Sequence, residues 1–299
     1  MKIKTFGYKK TSENYLHLLE EEWLKMGHEV FYNGDTEDYD VIFNIDRSQL
    51  QAAYEESVEK RKPLYCLILD LSYGFFNGVF KIYDSDILLE EKKIYEHCDS
   101  LMVISEETGR VLEKYTGLMS KHVGIPALSH ERFYEDRVRE PYIYFFGRPL
   151  DPIKNISTVI QALDGSEFEL YISGEVCPPE LFKSIAPNIK IKNFGWLKRE
   201  EVNTLVKHAH LLVAPELYGG LGMQPIEGAL MGTPCLSADI PIKREVWGEV
   251  LPLYNPHDPE DCRKKITEFN HESINMKEAQ EIAEWYLPDR VAERILNSI

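Results

Sequence analysis

Two stretches of this sequence hold residues whose types and spacing could do chemistry, and each reads as a loop leaving a strand and entering a helix. The first is Gly147-Arg148-Pro149-Leu150-Asp151-Pro152-Ile153-Lys154-Asn155. It follows an apolar run, 142–146, of the kind that forms a buried parallel strand. Arg148 offers a planar fork that can take two phosphate oxygens, and Lys154 brings a compact charge to the same group. Either cation alone would more often be surface charge. Two of them at the carboxyl end of a strand, where parallel sheets bind ligands, point to a diphosphate.

The second stretch spans 213–239. The apolar run 211–214 reads as a strand, and Tyr218-Gly219-Gly220-Leu221-Gly222 supplies a backbone free to take positive φ and approach a ligand closely. A helix follows, with Pro225 in its first turn and Ile226, Ala229 and Leu230 on its apolar face; Gly232 and Pro234 end it before a strand at 235–238. This order places unpaired backbone amides and the positive end of a helix in one crevice, a natural anion site. Glu227, read as lying in that first turn, would repel phosphates unless it bound something else. Its carboxylate can accept both hydroxyls of a ribose, or it can simply stabilise the helix dipole in water, and spacing alone leaves both readings open.

The elements that must position these loops alternate along the chain. Strands are expected at 2–7, 29–32, 40–44, 64–69 and 100–104. Helices are expected from Ser12 to Gly27, with Tyr15, Leu18, Leu19, Trp23 and Met26 at helical spacing, and at 51–61 and 87–97. Around 134–141 the chain turns charged and irregular, which marks a domain boundary. A second series follows, with helices at 157–163, 179–186 and 199–209 and strands at 167–173 and 189–194. Strands alternating with helices give an α/β protein whose parallel sheets are covered on both faces. The last helix, 276–285, is interrupted at Pro288 and continues at 290–296, so it is expected to bend and pack on two surfaces.

Composition sets the bounds. A chain of 299 residues with 43% hydrophobic content has room for two cores. A net charge of −16, spread over both halves, argues against nucleic acid and against strong attraction to an anionic membrane. Cys66, Cys98, Cys177, Cys235 and Cys262 are scattered, never at metal-ligand spacing, and read as reduced, mostly buried thiols. With no basic leader and no apolar stretch long enough to span a bilayer, the expected location is cytoplasmic.

Taken together, Gly147-Arg148 with Lys154-Asn155, Tyr171-Ile172-Ser173-Gly174, Phe194-Gly195-Trp196-Leu197, the run 202–215 and the run 218–239 resemble the nucleotide-binding domain of retaining GT-B glycosyltransferases of the family-four type. Residues 98–106 and His122-Val123-Gly124-Ile125-Pro126 echo that family's last N-terminal strands more loosely. The resemblance implies two Rossmann-like, doubly wound domains facing a central cleft. Residues 1–139 would bind the acceptor and 140–282 the nucleotide sugar, with 283–299 returning to the first domain.

The resemblance further implies transfer of a sugar, with retention of anomeric configuration, from a UDP- or GDP-linked donor to a glycan, lipid-linked or small-molecule hydroxyl, without a metal or other cofactor. On matching positions, Arg148 and Lys154 would hold the diphosphate, with Gly147 beside them. Glu227 would take the ribose, and the backbone of Gly220, Leu221, Gly222 and Met223 the phosphate and sugar. Phe194, Gly195 and Trp196 would lie near the base.

The chain departs from the family pattern in three places. The first of the family's two glutamates, eight positions apart, falls on Gly219, and Glu216 is three residues too early to replace it. The loop 6–11 lacks the usual paired glycines. No histidine follows the strand 64–69, where Asp70 could face the cleft or cap a turn. A nucleotide-sugar-binding module that does not turn over, and a hydrolase or epimerase on the same fold, are the rival readings.

Overall fold

The apolar runs that alternate with charged, helix-spaced segments assemble into two separate parallel sheets. The computed structural model describes residues 1–7, 12–32, 36–71, 75–76, 79–80, 85–128 and 138–299, with side chains described throughout these except at 12–14, 75–76, 79–80 and 85–89. Two units result: Met1–Leu128 with Trp285–Ile299, and Ser129–Glu284.

The first unit contains β1 (Lys2–Phe6), α1 (Ser12–Lys25), β2 (Glu29–Tyr32), β3 (Val41–Asn44), α2 (Leu50–Lys60), β4 (Leu64–Ile68), the antiparallel pair β5 (Phe75–Phe76) and β6 (Val79–Phe80), α3 (Ser85–His97), β7 (Ser100–Val103), α4 (Glu106–Thr116) and β8 (Lys121–His122). Its main sheet is parallel throughout, in the order β2-β1-β3-β4-β7-β8. Strand residues Ile42, Leu64, Cys66, Ile68, Leu101 and Val103 pack against Leu50 and Ala53 of α2, Ile94 and Tyr95 of α3, and Leu112 of α4. Because β3 and β4 are buried on both faces, their sequences are continuous apolar runs and not alternating ones.

The second unit contains β9 (Glu140–Gly147), α5 (Ile156–Ala162), β10 (Glu169–Gly174), α6 (Pro179–Lys183), β11 (Ile191–Asn193), α7 (Arg199–His208), β12 (Ala209–Ala214), α8 (Met223–Leu230), β13 (Cys235–Ala238), α9 (Pro241–Trp247), β14 (Leu253–Tyr254), α10 (Pro259–Thr267) and α11 (Met276–Glu284). Its strands are parallel in the order β11-β10-β9-β12-β13-β14. The chain winds outward from β9 to β11, then returns to the other side of β9 as β12. That reversal opens a crevice between the carboxyl ends of β9 and β12, and both chemically loaded loops leave the sheet there.

The C-terminal segment is two helices where one bent helix is expected. α11 closes the second unit against α8. Pro288 then occupies the first turn of α12 (Pro288–Leu296), a position where its fixed φ starts a helix and its missing amide costs nothing. α12 packs on α1, burying Val291, Ala292 and Ile295, and Trp23 Nε1 donates to the Ala292 carbonyl at 3.2 Å. Tyr65 Oη donates to the Ile299 carbonyl at 3.1 Å. Arg294 Nε donates to the Val123 carbonyl at 2.9 Å while its guanidinium lies 3.5 Å from the Trp285 ring centroid.

Ala127 N donates to the Tyr286 carbonyl at 2.8 Å, so the chain stays tied to the first unit that far. The division falls at 128/129, earlier than the junction at 139/140 read from charge, and the stretch 129–137 lies outside the described residues, as does 8–11 of the first strand-end loop. Helices α4, α9 and α10 and the two-residue strands β5, β6 and β14 are additions to the sequence expectation, two residues being too few to show a period; β8 meets the stretch from His122 that resembles the family's last N-terminal strands. α6 is shorter than expected, ending at Lys183.

Ile295 is buried in the first unit although it comes from the far end of the chain. Ile295→Ala is expected to destabilise that unit by about 2–5 kcal/mol. Denaturant unfolding followed by Trp fluorescence would show an earlier first transition, with the second unit's transition unmoved.

Candidate functional site

Three adjacent strands of the second unit end on bare backbone. Gly147 closes β9 at φ +145°, Gly174 closes β10 at φ +114°, and Gly195 follows β11 at φ +64°. Gly147 and Gly174 are register partners, so close that a methyl group on Gly174 would overlap the Gly147 carbonyl. Glu175 N donates to the Gly147 carbonyl at 2.9 Å and Gly174 N to the Gly195 carbonyl at 2.8 Å. Side chains are thus cleared from the strand ends beside the crevice.

The loop after β9 carries its two cations differently. Arg148 is 62% exposed and pairs with Asp151 Oδ2 at 2.9 Å. The other Asp151 oxygen accepts from Ile153 N at 3.1 Å and starts the single 3-10 turn that ends at Lys154. A phosphate would have to share Arg148 with Asp151. Lys154 is half-buried, and its charge reaches Glu216 in the neighbouring loop. The two loops are joined by their backbones, Leu217 N to the Ile153 carbonyl at 2.9 Å, and by Gln224 Nε2 to the Phe146 carbonyl at 3.0 Å.

Of the three loop glycines, only Gly222 takes a positive φ, at +78°. It precedes α8 without a side-chain hydrogen bond to cap the helix, which leaves the first-turn amides for another acceptor. Gly219 has an ordinary φ, and a Cβ there would meet only Glu216 Cγ, at 4.0 Å. The free backbone expected across Tyr218 to Gly222 is therefore confined to Gly222, and Gly219 has room for a side chain.

Glu216, set aside in the sequence because its spacing is wrong, is buried beneath this loop with Lys243 Nζ 2.7 Å from its Oε1. Lys243, from α9, is also buried and donates to the Leu221 carbonyl at 3.3 Å. Burial alone would raise the Glu216 carboxyl, but the charges of Lys243 and Lys154 outweigh it and hold the group below its ordinary range. Lys243 carries no motif that would single it out in the sequence.

Because α8 starts at Met223, Glu227 is its fifth residue and belongs to the second turn, not the first. It is buried and bonded to Arg199, the first residue of α7, so a carboxylate serving the helix dipole from water does not describe it. A carboxylate has about four lone-pair directions, and a pair with Arg199 leaves acceptor capacity for hydroxyls. Arg199 was not among the sequence candidates. Tyr144, on β9, bonds Ser173 Oγ at 2.5 Å, and burial raises its hydroxyl's pKa, so it stays neutral.

Gly147, Arg148, Lys154, the loop from Gly220 to Gly222, Met223 and Glu227 thus gather around the β9–β12 reversal. Phe194, Gly195 and Trp196 lie two strands away, at the end of β11. Trp196 is 72% exposed there, and Phe194 meets Tyr171 edge-on at 5.2 Å. In the first unit, Asp70 lines a cavity of about 260 Å³ at the ends of β3 and β4, together with Tyr15, Asn44, Asp46, Arg47 and Tyr95. Among the described residues no cluster of three or more His, Cys, Asp or Glu is arranged to hold a metal ion, and no helix is long and apolar enough to cross a membrane.

The family model described as Glycosyl transferases group 1 matches residues 130–284, the whole of the unit that carries this site apart from its first residue. The chain belongs to the group 1 glycosyl transferases. Its two Rossmann-like α/β units are those of the GT-B fold. The serotype-specific mannosyltransferase WbdA of Escherichia coli is 23% identical, over 57% of this chain and 24% of that protein. The chain thus spans about a quarter of the length of the curated relatives it matches. Among solved structures, HepE of Anabaena in complex with UDP and glucose is 15% identical with a TM-score of 0.78, covering 99% of this chain and 98% of that one. Sucrose-phosphate synthase of Thermosynechococcus elongatus is 14% identical with a TM-score of 0.80, covering 99% and 98%. At such identities the likeness is one of fold.

Gly222 is the tightest point of the loop, since a Cβ would overlap both Lys243 Nζ and Glu216 Oε1. Gly222→Ala is expected to cost stability on the order of 1–3 kcal/mol through its positive φ alone. Thermal melting should fall accordingly, whereas Gly219→Ala, with ordinary φ and open space, should leave melting unchanged.

Proposed function

We propose that the chain transfers a sugar from a nucleoside diphosphate sugar, UDP- or GDP-linked, to a hydroxyl acceptor with retention of anomeric configuration. The observation that carries this reading is the meeting of two loops at the β9–β12 reversal, one bearing Arg148 and Lys154 and the other ending on the uncapped amides of α8. Family membership supports retention. HepE, whose structures hold UDP with glucose and UDP-glucose, and WbdA, named a mannosyltransferase, support a hexose donor.

In this reading the bond from the anomeric carbon to the diphosphate oxygen breaks while the acceptor oxygen bonds to that carbon. The leaving diphosphate gains negative charge, which Arg148, Lys154 and the amides at the start of α8 stabilise, the part a divalent cation would otherwise take. A phosphate oxygen of the leaving group takes the acceptor's proton. Glu227, steadied by Arg199, accepts the ribose hydroxyls, and Phe194 and Trp196 offer apolar surface near the base. The cavity of the first unit, with Asp70 and Asn44 on its wall, is the proposed seat of the acceptor. Gly219 favours a second outcome, a module that binds the donor without turnover, because it leaves no carboxylate at the family's sugar-side position. Incubation with UDP- and GDP-sugars, with and without acceptor glycans, separates the two: nucleotide release that rises with acceptor supports transfer, and binding without release supports the module.

Three variants test the residues. Lys154→Ala is expected to lower affinity for UDP or GDP by about 1.5–3 kcal/mol, roughly ten- to hundredfold in calorimetry. Arg148→Ala should cost less, because the guanidinium is largely exposed and already shared with Asp151. Unchanged affinity in both would remove the diphosphate assignment. Glu227→Gln should weaken the nucleoside diphosphates while inorganic pyrophosphate binds as before; equal losses for the two ligands would show that Glu227 acts on the loop and not on the ribose.

A further inference from the structure

The glycine loop rests on a charge pair that no contact to a nucleotide requires. Withdrawing a carboxylate and an ammonium from water costs more than their attraction returns unless further hydrogen bonds complete the pair, so a buried pair is weak as a source of stability. Its best-attested use is to fix one geometry among several. Here Glu216 and Lys243 are both buried, and together they touch the loop at its start, at the Leu221 carbonyl and at Gly222. Among the described residues neither carboxylate oxygen of Glu216 has a side-chain hydrogen bond of good geometry, so the group is held by its ion pair with Lys243 and not by a saturated network.

One consequence follows from the peptide unit itself. A trans peptide points its carbonyl and its amide in opposite directions. Lys243 Nζ holds the Leu221 carbonyl on the buried side of the loop, so the N–H of Gly222 in the same peptide is turned away from Lys243, towards the open side. Gly222, with its positive φ, then starts α8. The direction of that first amide is thereby set by a buried side chain.

We propose that Glu216 and Lys243 are positioning residues for the donor diphosphate: Lys243 fixes the peptide 221–222 so that the Gly222 amide meets a phosphate oxygen, and Glu216 keeps Lys243 in place beneath the loop. The proposal rests on the reading of this crevice as the donor site. Glu216 also balances Lys154, whose charge it feels from the loop after β9. The other titratable groups facing it are Tyr254 on β14 and Cys235 on β13, and burial keeps both neutral, the Cys235 thiol being pushed up to about 12.

The test compares wild type, Lys243→Met and the double variant Lys243→Met with Glu216→Gln for binding of UDP and GDP by calorimetry, with thermal melting of each. Lys243→Met leaves Glu216 buried without its cation, so its carboxyl pKa should rise. Protonation beside the bound phosphates is then favourable, and affinity should increase from neutral to mildly acidic pH. The double variant carries no charge at these two positions, folds without that penalty, and should bind about tenfold or more weakly with no such added pH dependence. Comparing the two variants cancels the titration of the nucleotide itself. A folded double variant that binds UDP and GDP as tightly as wild type would overturn the proposal and leave the pair as core filling, as would a Lys243→Met affinity that follows pH as the double variant does. Failure of wild type to bind either nucleotide would overturn the donor-site reading instead, and the proposal with it.

Discussion

A parallel sheet covered on both faces has no side of its own to give to a ligand; only the ends of its strands are open. In this protein that constraint decides where every functional group sits. The middle of β9 and nearly all of β12 are buried, and their largely apolar sequences leave few polar groups until the chain leaves the sheet at Gly147 and after Ala214. The chemistry is therefore pushed into the loops. The reversal of strand order between these two strands keeps their loops apart enough to form a crevice and near enough to be tied by Leu217 N and Gln224 Nε2.

Within the crevice, charge is managed in layers. Arg148 at the rim is exposed and shared with Asp151, Lys154 is half-buried, and Lys243 lies wholly beneath the loop with Glu216. Exposed charges attract an anionic ligand at modest energetic worth, since water screens them. Buried charges act on the protein instead. The Glu227–Arg199 pair holds a carboxylate in the second turn of α8, and the Glu216–Lys243 pair lies against the peptide from which α8 begins. α7 and α8 each contribute one member of the former pair, which couples the end of the loop after β11 to the crevice.

The end of the chain shows the same economy of local rules and distant consequences. Pro288 begins a new helical run, separated from α11 by three residues, because its ring fits a first turn and not an interior one. Where the new helix goes is decided by Trp23 and the apolar face of α1, over two hundred and sixty positions earlier. The chain leaves one unit after Glu284, and the helix that Pro288 begins completes the other.

Local sequence determined a good deal. The alternation of apolar runs and helical spacing gave the α/β class, the two series of strands and most element bounds, because burial on both faces writes itself as a continuous apolar run. The order of glycine, arginine and lysine after 142–146, and of glycines before 223–230, pointed to the two loops that meet at the β9–β12 reversal, because strand ends are where a parallel sheet leaves its backbone open. Tertiary structure decided the rest. Whether Glu227 faces water or a partner depended on Arg199, twenty-eight positions away and on another helix. Glu216 has the wrong spacing for a loop carboxylate, and only the fold brings α9 under the loop to give it Lys243. Spacing along a chain records periodic, local preferences; a buried ion pair between distant elements has no period, and its members become legible only when the strands between them have taken their order.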